Sequence, residues 1–221
     1  MEQDIPKRKN YKSAFALLKI FQPVFGILFY AAIFLIALSL VLSVILIFVK
    51  VDVDQMLLLP FMHKIADDTG KITTYEISFG NGIKVFAGAD SVTLDDVKAA
   101  LFAGIFVLIC TLLTVAPVFR FLSLLLKNIN AGNFFGEKNP KYVIYIGMCV
   151  FFGSMLIRFM MRFYNYYLAA RFIKDAADKI NLSLGVDILS GITGLAIIFI
   201  GVVFAYIFQN ADPNNNINKN Q

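Results

Sequence analysis

Four hydrophobic stretches, each long enough to cross a lipid bilayer, constrain the fold of this chain more than any other feature. They cover residues 24–49, 99–126, 142–169 and 186–208. A membrane-spanning helix needs about 20 predominantly apolar residues, and the first stretch contains no charged residue. The sequence therefore predicts an all-α integral membrane protein, with four transmembrane helices in a single membrane domain over residues 1–221.

The charge pattern predicts the orientation of these helices. The loop over residues 51–98 carries eight Asp or Glu against four Lys. Basic residues mark the cytoplasmic side of a membrane protein, so we expect both termini and the loop 127–141 in the cytoplasm and the loop 51–98 outside. The net charge of +5 then reflects orientation and contact with bilayer lipid rather than direct nucleic-acid binding. The basic residues beside the hydrophobic stretches are Lys7, Arg8, Lys9, Lys12, Lys19, Lys127, Lys138 and Lys141.

Both ends of the chain are predicted to lie outside the hydrocarbon. Residues 1–22 are expected to form a cytoplasmic tail and an interfacial amphipathic helix, since lysines there alternate with leucines and phenylalanines. Pro23 either breaks this helix from the first span or occupies the first turn of that span. The asparagine-rich residues 209–221 are predicted to be a disordered cytoplasmic tail.

The outer loop contains the sequence pattern of a β-hairpin. Two runs rich in β-branched and aromatic residues, 72–79 and 83–87, flank Gly80-Asn81-Gly82. An Asn-Gly pair between such runs is a strong hairpin signal. Because an isolated hairpin is only marginally stable in water, we expect it to pack on the helix ends, on the apolar patch 56–60 or on another protein.

Two local patterns predict where helices begin. Thr93 followed by Asp96 resembles a capping box, which places the start of the second transmembrane helix there. Asn139 followed by Pro140 is the usual order of an N-cap and a first helical residue, so the third helix is expected to begin there. Its helical pattern continues beyond the membrane to about residue 180.

A motif of regularly spaced residues joins the second and third helices. Gly132 is followed by Phe135 three residues later, and then by Asn139, Val143 and Gly147 at steps of four. This segment resembles the signature of a family of small bacterial four-span membrane proteins that is catalogued only as a domain of unknown function. The resemblance implies four helices, a bacterial inner-membrane location and signalling beside small helix-turn-helix regulators. It implies no catalytic residues.

The same motif also has a purely structural interpretation. Gly132 permits a tight or left-handed turn, Phe134 or Phe135 can enter the membrane interface, Asn139 caps a helix, and Gly147 allows close helix packing. The motif therefore either sets only the helical hairpin or also forms a partner-docking surface. In the second case the candidate docking residues are Gly132, Phe134, Phe135 and Asn139.

Charged residues near the outer end of the third helix form a candidate ligand site. Arg158 and Arg162 fall on one helix face, and charges in or near lipid are usually paired or functional. Asp187, at the start of the fourth helix, is placed to reach Arg162. The three residues form either a structural ion pair or a cationic site for a lipid headgroup or a peptide carboxylate. Further out, Arg171 is spaced to pair with Asp175.

The residue types that carry enzyme, cofactor or metal chemistry are sparse. Cys110 and Cys149 lie singly within the predicted spans, and His63 is the only histidine. The acidic outer loop lacks the spacing of a calcium-binding loop. Motifs of zinc proteases, serine hydrolases and nucleotide-binding loops are also absent from the sequence. We therefore expect no enzymatic activity, no cofactor and no metal centre.

Two classes of function are consistent with these observations. The first is a non-enzymatic module that binds a protein partner, either a regulator or an envelope protein, and acts as a sensor, regulator or immunity-type protein. The second is a small transporter or channel component that acts as a homo-oligomer. A continuous polar stripe along the helices would favour transport, whereas a dry interior would favour the binding module.

Overall fold

The part of the chain that the structure describes contains four long helices and one small sheet. The computed structural model describes residues 9–48, 50, 62–78, 84–88, 91–133, 136–172 and 188–211. In chain order the elements are α1 (Lys9–Phe48), β1 (Met62–Ala66), β2 (Ile72–Ser78), β3 (Lys84–Gly88), α2 (Leu94–Asn130), α3 (Asn139–Phe172) and α4 (Ile188–Ala211). Each helix is long and apolar enough to cross a membrane, which confirms the four predicted apolar helices.

Helix α1 differs from the prediction at Pro23, which lies inside one continuous helix. Proline has no N–H to donate to the carbonyl four residues earlier, which usually weakens a helix. Polar side chains of α2 bond to carbonyls near this proline: Asn130 Nδ2 donates to the Leu18 carbonyl at 3.4 Å, and Ser123 Oγ donates to the Gln22 carbonyl at 3.3 Å. The predicted interfacial helix and first span are therefore one helix.

The predicted starts of α2 and α3 are confirmed. Immediately before α2, the Thr93 N–H donates to Asp96 Oδ2 at 3.0 Å, and the Asp96 N–H donates to Thr93 Oγ1 at 3.2 Å. This reciprocal pair is a capping box. Helix α3 begins at Asn139. Its predicted extension from 173 to about 180, and residues 212–221 of the predicted tail, lie outside the described residues.

The chain divides into two compact units. The first comprises Met1–Leu35, Leu112–Ser154 and Asp187–Gln221, and the second comprises Ile36–Thr111 and Met155–Val186. The first unit therefore contains the α2–α3 connection and α4, whereas the second contains the sheet with the parts of α2 and α3 nearest to it.

In the first unit, α3 and α4 approach so closely that their backbones are in contact. A Cβ atom added at Gly147 would lie 2.7 Å from the Ile198 backbone nitrogen, and one at Gly194 would lie 2.8 Å from the Phe151 backbone nitrogen. Small residues allow this approach because helices in lipid associate mainly through van der Waals packing. The predicted role of Gly147 in close helix packing is confirmed.

In the second unit, the three strands form one antiparallel sheet in the order β1-β2-β3. The register places Tyr75 opposite Ala87 and Glu76 opposite Phe86, so the predicted pairing of the two hairpin strands is confirmed. The predicted turn at 80–82 lies outside the described residues. Strand β1, which pairs along the other side of β2, was not predicted.

The inner face of this sheet packs on α2 and α3. Tyr75 is 1% exposed and Ile77 is 0% exposed. Burying a large apolar side chain contributes about 1.5–3 kcal/mol, so this cluster supplies the support that an isolated hairpin lacks. Three supports were expected for the hairpin: the helix ends, the apolar patch 56–60 and another protein. The structure shows the first of them. The buried cluster comprises Met62, Tyr75, Ile77, Ala87, Val92, Val97, Ala100, Leu168 and Ala169.

A short turn at Asp67 joins β1 to β2. Asp67 Oδ1 accepts hydrogen bonds from the Thr69 hydroxyl at 2.6 Å, the Thr69 N–H at 2.9 Å and the Lys71 N–H at 3.0 Å. The hydrogen bond from the Thr69 hydroxyl is the main reason that the pKa of the Asp67 carboxyl is lowered from its ordinary value. Gly70 adopts a φ of 82°, a conformation that glycine reaches without strain.

Gly147→Ala is expected to destabilise the protein in detergent, because the new Cβ would meet the backbone of α4. Overpacking of this kind typically costs about 1–3 kcal/mol, and thermal unfolding measured by loss of the folded chromatography peak would report it. Gly153→Ala is the matched control, because its Cβ would meet a side-chain atom, Thr114 Cβ, at 3.3 Å. Equal unfolding temperatures for the two variants would contradict the backbone contact.

Candidate functional site

The connection between α2 and α3 begins with a left-handed glycine, as the motif predicts. Gly132 has a φ of 80°. Its N–H donates to the Ile129 carbonyl at 3.0 Å, and the Asn133 N–H donates to the Asn128 carbonyl at 3.0 Å. These two bonds form a Schellman motif, which satisfies carbonyl groups at a helix C-terminus. Gly132 therefore has a structural role in ending α2.

Asn139 holds the two ends of this connection together. It is 0% exposed. Its Oδ1 accepts a hydrogen bond from Asn128 Nδ2 at 2.7 Å, and its Nδ2 donates to the Asn133 carbonyl at 2.9 Å. The side-chain amide supplies both the donor and the acceptor that these two hydrogen bonds use. Asn139 thus links the end of α2, the connecting loop and the start of α3. It is the first residue of α3 rather than its predicted N-cap, because the Lys138 carbonyl accepts the first helical hydrogen bond, from the Tyr142 N–H at 3.1 Å.

The two aromatic members of the proposed docking surface, Phe134 and Phe135, lie outside the described residues. Of the four candidate docking residues, the structure therefore places Gly132 and Asn139, and it gives both of them structural contacts. A docking role for this loop stays a prediction.

A second polar cluster joins α1 to the end of α2. Asn130 Nδ2 donates to Gln22 Oε1 at 2.8 Å, while Asn130 Oδ1 is buried and accepts no hydrogen bond from the described residues. Sequence analysis missed this pair because the residues are 108 positions apart. The proline that follows Gln22 was the available signal, since polar groups of a neighbouring helix are one way to satisfy the backbone groups that a proline frees in an apolar helix.

The candidate arginines lie on α3 in the second unit. Arg158 is exposed and Arg162 is half-buried, and their spacing of four residues places them on one helix face. Asp187 lies outside the described residues, so the predicted ion pair stays a prediction. The cationic site therefore rests on the placement of the two arginines alone.

An unpredicted ion pair stands further along α3. Arg171 Nε contacts Asp96 Oδ1, the same carboxylate group that forms the capping box of α2. Sequence spacing suggested Asp175 as the partner, and that residue lies outside the described part of the chain. Because Arg171 is in the last turn of α3 and Asp96 in the first turn of α2, each charge also suits the helix dipole at its position.

The outer face of the sheet combines apolar and charged side chains. The register aligns His63, Glu76 and Phe86 in one cross-strand row. Phe86 is 62% exposed and Ile65 is 38% exposed, while Lys84 Nζ lies 2.7 Å from Glu76 Oε1. Sequence analysis missed β1, and hence this row, because a strand of five residues carries little periodic signal. This face therefore exposes apolar side chains beside charged ones.

Within the described residues, no group of three or more His, Cys, Asp or Glu side chains could hold a metal ion. Cys110 and Cys149 are free thiols in half-buried positions. The polar groups at the α2–α3 connection are amides and backbone groups, which suit hydrogen bonding rather than acid–base chemistry.

Comparison with known proteins found no matching family model, no matching curated protein and no matching solved structure.

Asn139→Asp is expected to destabilise the α2–α3 connection. The substitution keeps the shape of the side chain but removes the donor to the Asn133 carbonyl and puts a carboxylate in a buried site. Leaving a buried polar partner unsatisfied costs about 1–3 kcal/mol. Thermal unfolding in detergent measures the loss, with the exposed Lys141→Gln in the same helix turn as the control. An unchanged unfolding temperature for Asn139→Asp would contradict the role assigned to this amide.

Asp96→Ala is expected to destabilise the protein more than Arg171→Ala. Loss of Asp96 removes both the capping bonds, worth about 0.5–2 kcal/mol, and the ion pair. Loss of Arg171, which is 46% exposed, removes only a partly exposed ion pair, worth less than about 1 kcal/mol. Thermal unfolding at low and high salt separates the two contributions, and Asp95→Ala in the same turn is the control. A larger loss for Arg171→Ala would contradict this ranking.

Proposed function

We propose that this chain is a non-enzymatic, multi-pass protein of a bacterial inner membrane that binds another protein and acts as a sensor, regulator or immunity-type module. The sheet lies outside the membrane, and both termini and the α2–α3 connection lie in the cytoplasm.

Insertion into lipid is supported by the surfaces of the helices. On α1, Ile27 is 67% exposed, Phe34 is 66% exposed and Phe48 is 75% exposed. Contiguous apolar surface of this kind is unfavourable in water and is usually covered by a membrane or by another protein. Helices α1 and α4 carry it over most of their length, which fits contact with lipid acyl chains.

The orientation is supported by the charges at the helix ends. Lys127 lies in the last turn of α2, and Lys138 and Lys141 flank the start of α3. Basic residues concentrate on the cytoplasmic side. The opposite ends of these helices meet the sheet, whose turn carries Asp67 and Asp68.

The observation that carries the binding proposal is the contrast between the two faces of the sheet. The inner face is held by fully buried side chains, among them Tyr75 and Ile77, whereas the outer face exposes Phe86 and Ile65 beside charged groups. A well-anchored sheet with an exposed mixed surface is suited to recognition, because little ordering is required when a partner binds. The partner that fits this side of the membrane is an envelope protein. The α2–α3 connection is the candidate surface for a cytoplasmic regulator.

Transport by a single chain is less well supported. The only buried polar residues in the described part of the chain are Ser39 and Asn139, and they do not form a stripe. A transport path usually needs polar side chains or broken helices along its length. An oligomeric channel is therefore the alternative function, and it would place its path between copies of the chain.

A photo-crosslinking side chain introduced at His63 tests the binding proposal in native membranes. We expect a discrete adduct with a different protein, because His63 lies on the outer face of the sheet. The same side chain introduced at Leu195, which is 53% exposed on α4, is the control for contacts made within the lipid. Adducts that are the same at both positions, or none at His63, would contradict binding through this face.

A further inference from the structure

The edge of the sheet formed by β3 is open in the described part of the chain. Strand β3 pairs with β2 on one side only, because it is the last strand in the sheet order. Lys84, Phe86 and Gly88 are all exposed, with 62% of Phe86 accessible. An open edge presents backbone N–H and C=O groups in the geometry that pairs with another strand.

The opposite edge, formed by β1, is built differently. Its pairing with β2 shifts register between Ile65 and Ala66, and the strand then leads into the Asp67 turn. An irregularity of this kind bends an edge and interrupts pairing. The two edges of the sheet are therefore unequal, and β3 is the one suited to accept a further strand.

We propose that β3 pairs antiparallel with β3 of a second copy of this chain, about a two-fold axis at Phe86. The pairing joins three strands from each copy into one continuous sheet. Phe86 lies opposite Phe86 of the second copy, and Lys84 lies opposite its Gly88.

The sequence of β3 favours a second copy as the occupant. Five residues form this strand, and the register centred on Phe86 is the only antiparallel self-pairing that uses all of them. It places two aromatic side chains opposite each other, which is a favourable cross-strand pair. It also places each Lys84 opposite a glycine, whereas the register centred on Lys84 would oppose two like charges, which is destabilising.

The inequality of the edges also limits the assembly to a dimer. A symmetric contact that uses one patch on each copy closes on itself, whereas two usable edges would allow open growth. Insertion into a common membrane would present both sheets on the same side. The inference goes beyond the proposed function, because the dimer does not require any other protein, and the two ideas can fail separately.

Disulfide crosslinking tests the pairing in the full-length protein in membranes, with Cys110 and Cys149 replaced by serine. Phe86→Cys is expected to give a disulfide-linked dimer on mild oxidation, since directly opposite residues of antiparallel strands have Cα atoms about 4.5–5.5 Å apart, within the range for disulfides. His63→Cys is the matched control, because it lies in the same row and on the same face but at the other edge. No dimer band is expected from it.

A second pair of variants tests the register. Lys84→Cys and Gly88→Cys, carried on differently tagged copies, are expected to crosslink to each other when expressed together, while Lys84→Cys alone does not crosslink. A side chain at Gly88 has open space, since no atom lies within 4 Å of its Cβ position. Crosslinking at His63→Cys equal to that at Phe86→Cys would overturn the proposal. So would a monomeric mass in lipid nanodiscs with no crosslink from Phe86→Cys.

Discussion

Burial of Tyr75 and Ile77 between the sheet and the helices is the interaction on which the sheet unit depends. The strands are only five to seven residues long, and a small sheet of this kind needs a buried hydrophobic face or packing on a helix to be stable in water. Val97 and Leu168, both 0% exposed, supply that packing from α2 and α3. Val97 lies in the same first turn of α2 that the Thr93–Asp96 capping box stabilises. The residues that fix the start of α2, Thr93 and Asp96, are therefore next to Val97, which packs against the sheet.

The features that could be predicted from the sequence are those with local causes. Hydrophobic length predicts the four helices, the capping pattern at Thr93 predicts the start of α2, and the Asn-Gly pair predicts the pairing of β2 with β3. Features that depend on distant partners could not be predicted in the same way. Strand β1 is short, and its place in the sheet follows from β2 and from burial of Met62. The contacts of α1 near Pro23 come from Ser123 and Asn130 of α2, more than 100 positions away in the sequence.

In the candidate site, too, the local role of a residue could be predicted from its type, whereas its distant hydrogen-bond partner could not. The sequence motif predicted correctly that Gly132 would adopt a left-handed turn, because few other residues tolerate it. It predicted Asn139 only as a cap, because an asparagine before a proline at a helix start has that usual role. The hydrogen bond from Asn128 depends on how the helices pair, which no local pattern specifies. For Arg171, the spacing predicted a pair with Asp175, which lies outside the described residues and stays a prediction, and no local pattern indicated the contact with Asp96.

The distribution of polar groups in the first unit bears on the choice between binding and transport. At Gly147 and Gly194 the backbones of α3 and α4 touch, so water has no room to pass between these helices there. The amide clusters of Asn139 and Asn130 lie at helix ends and serve to close turns and to support the helix at Pro23. Polar side chains used in this way stabilise the fold without lining a path. For the proposed alternative of an oligomeric channel, the path lies between copies of the chain, and a dimer joined at β3 is the assembly in which conduction should be measured.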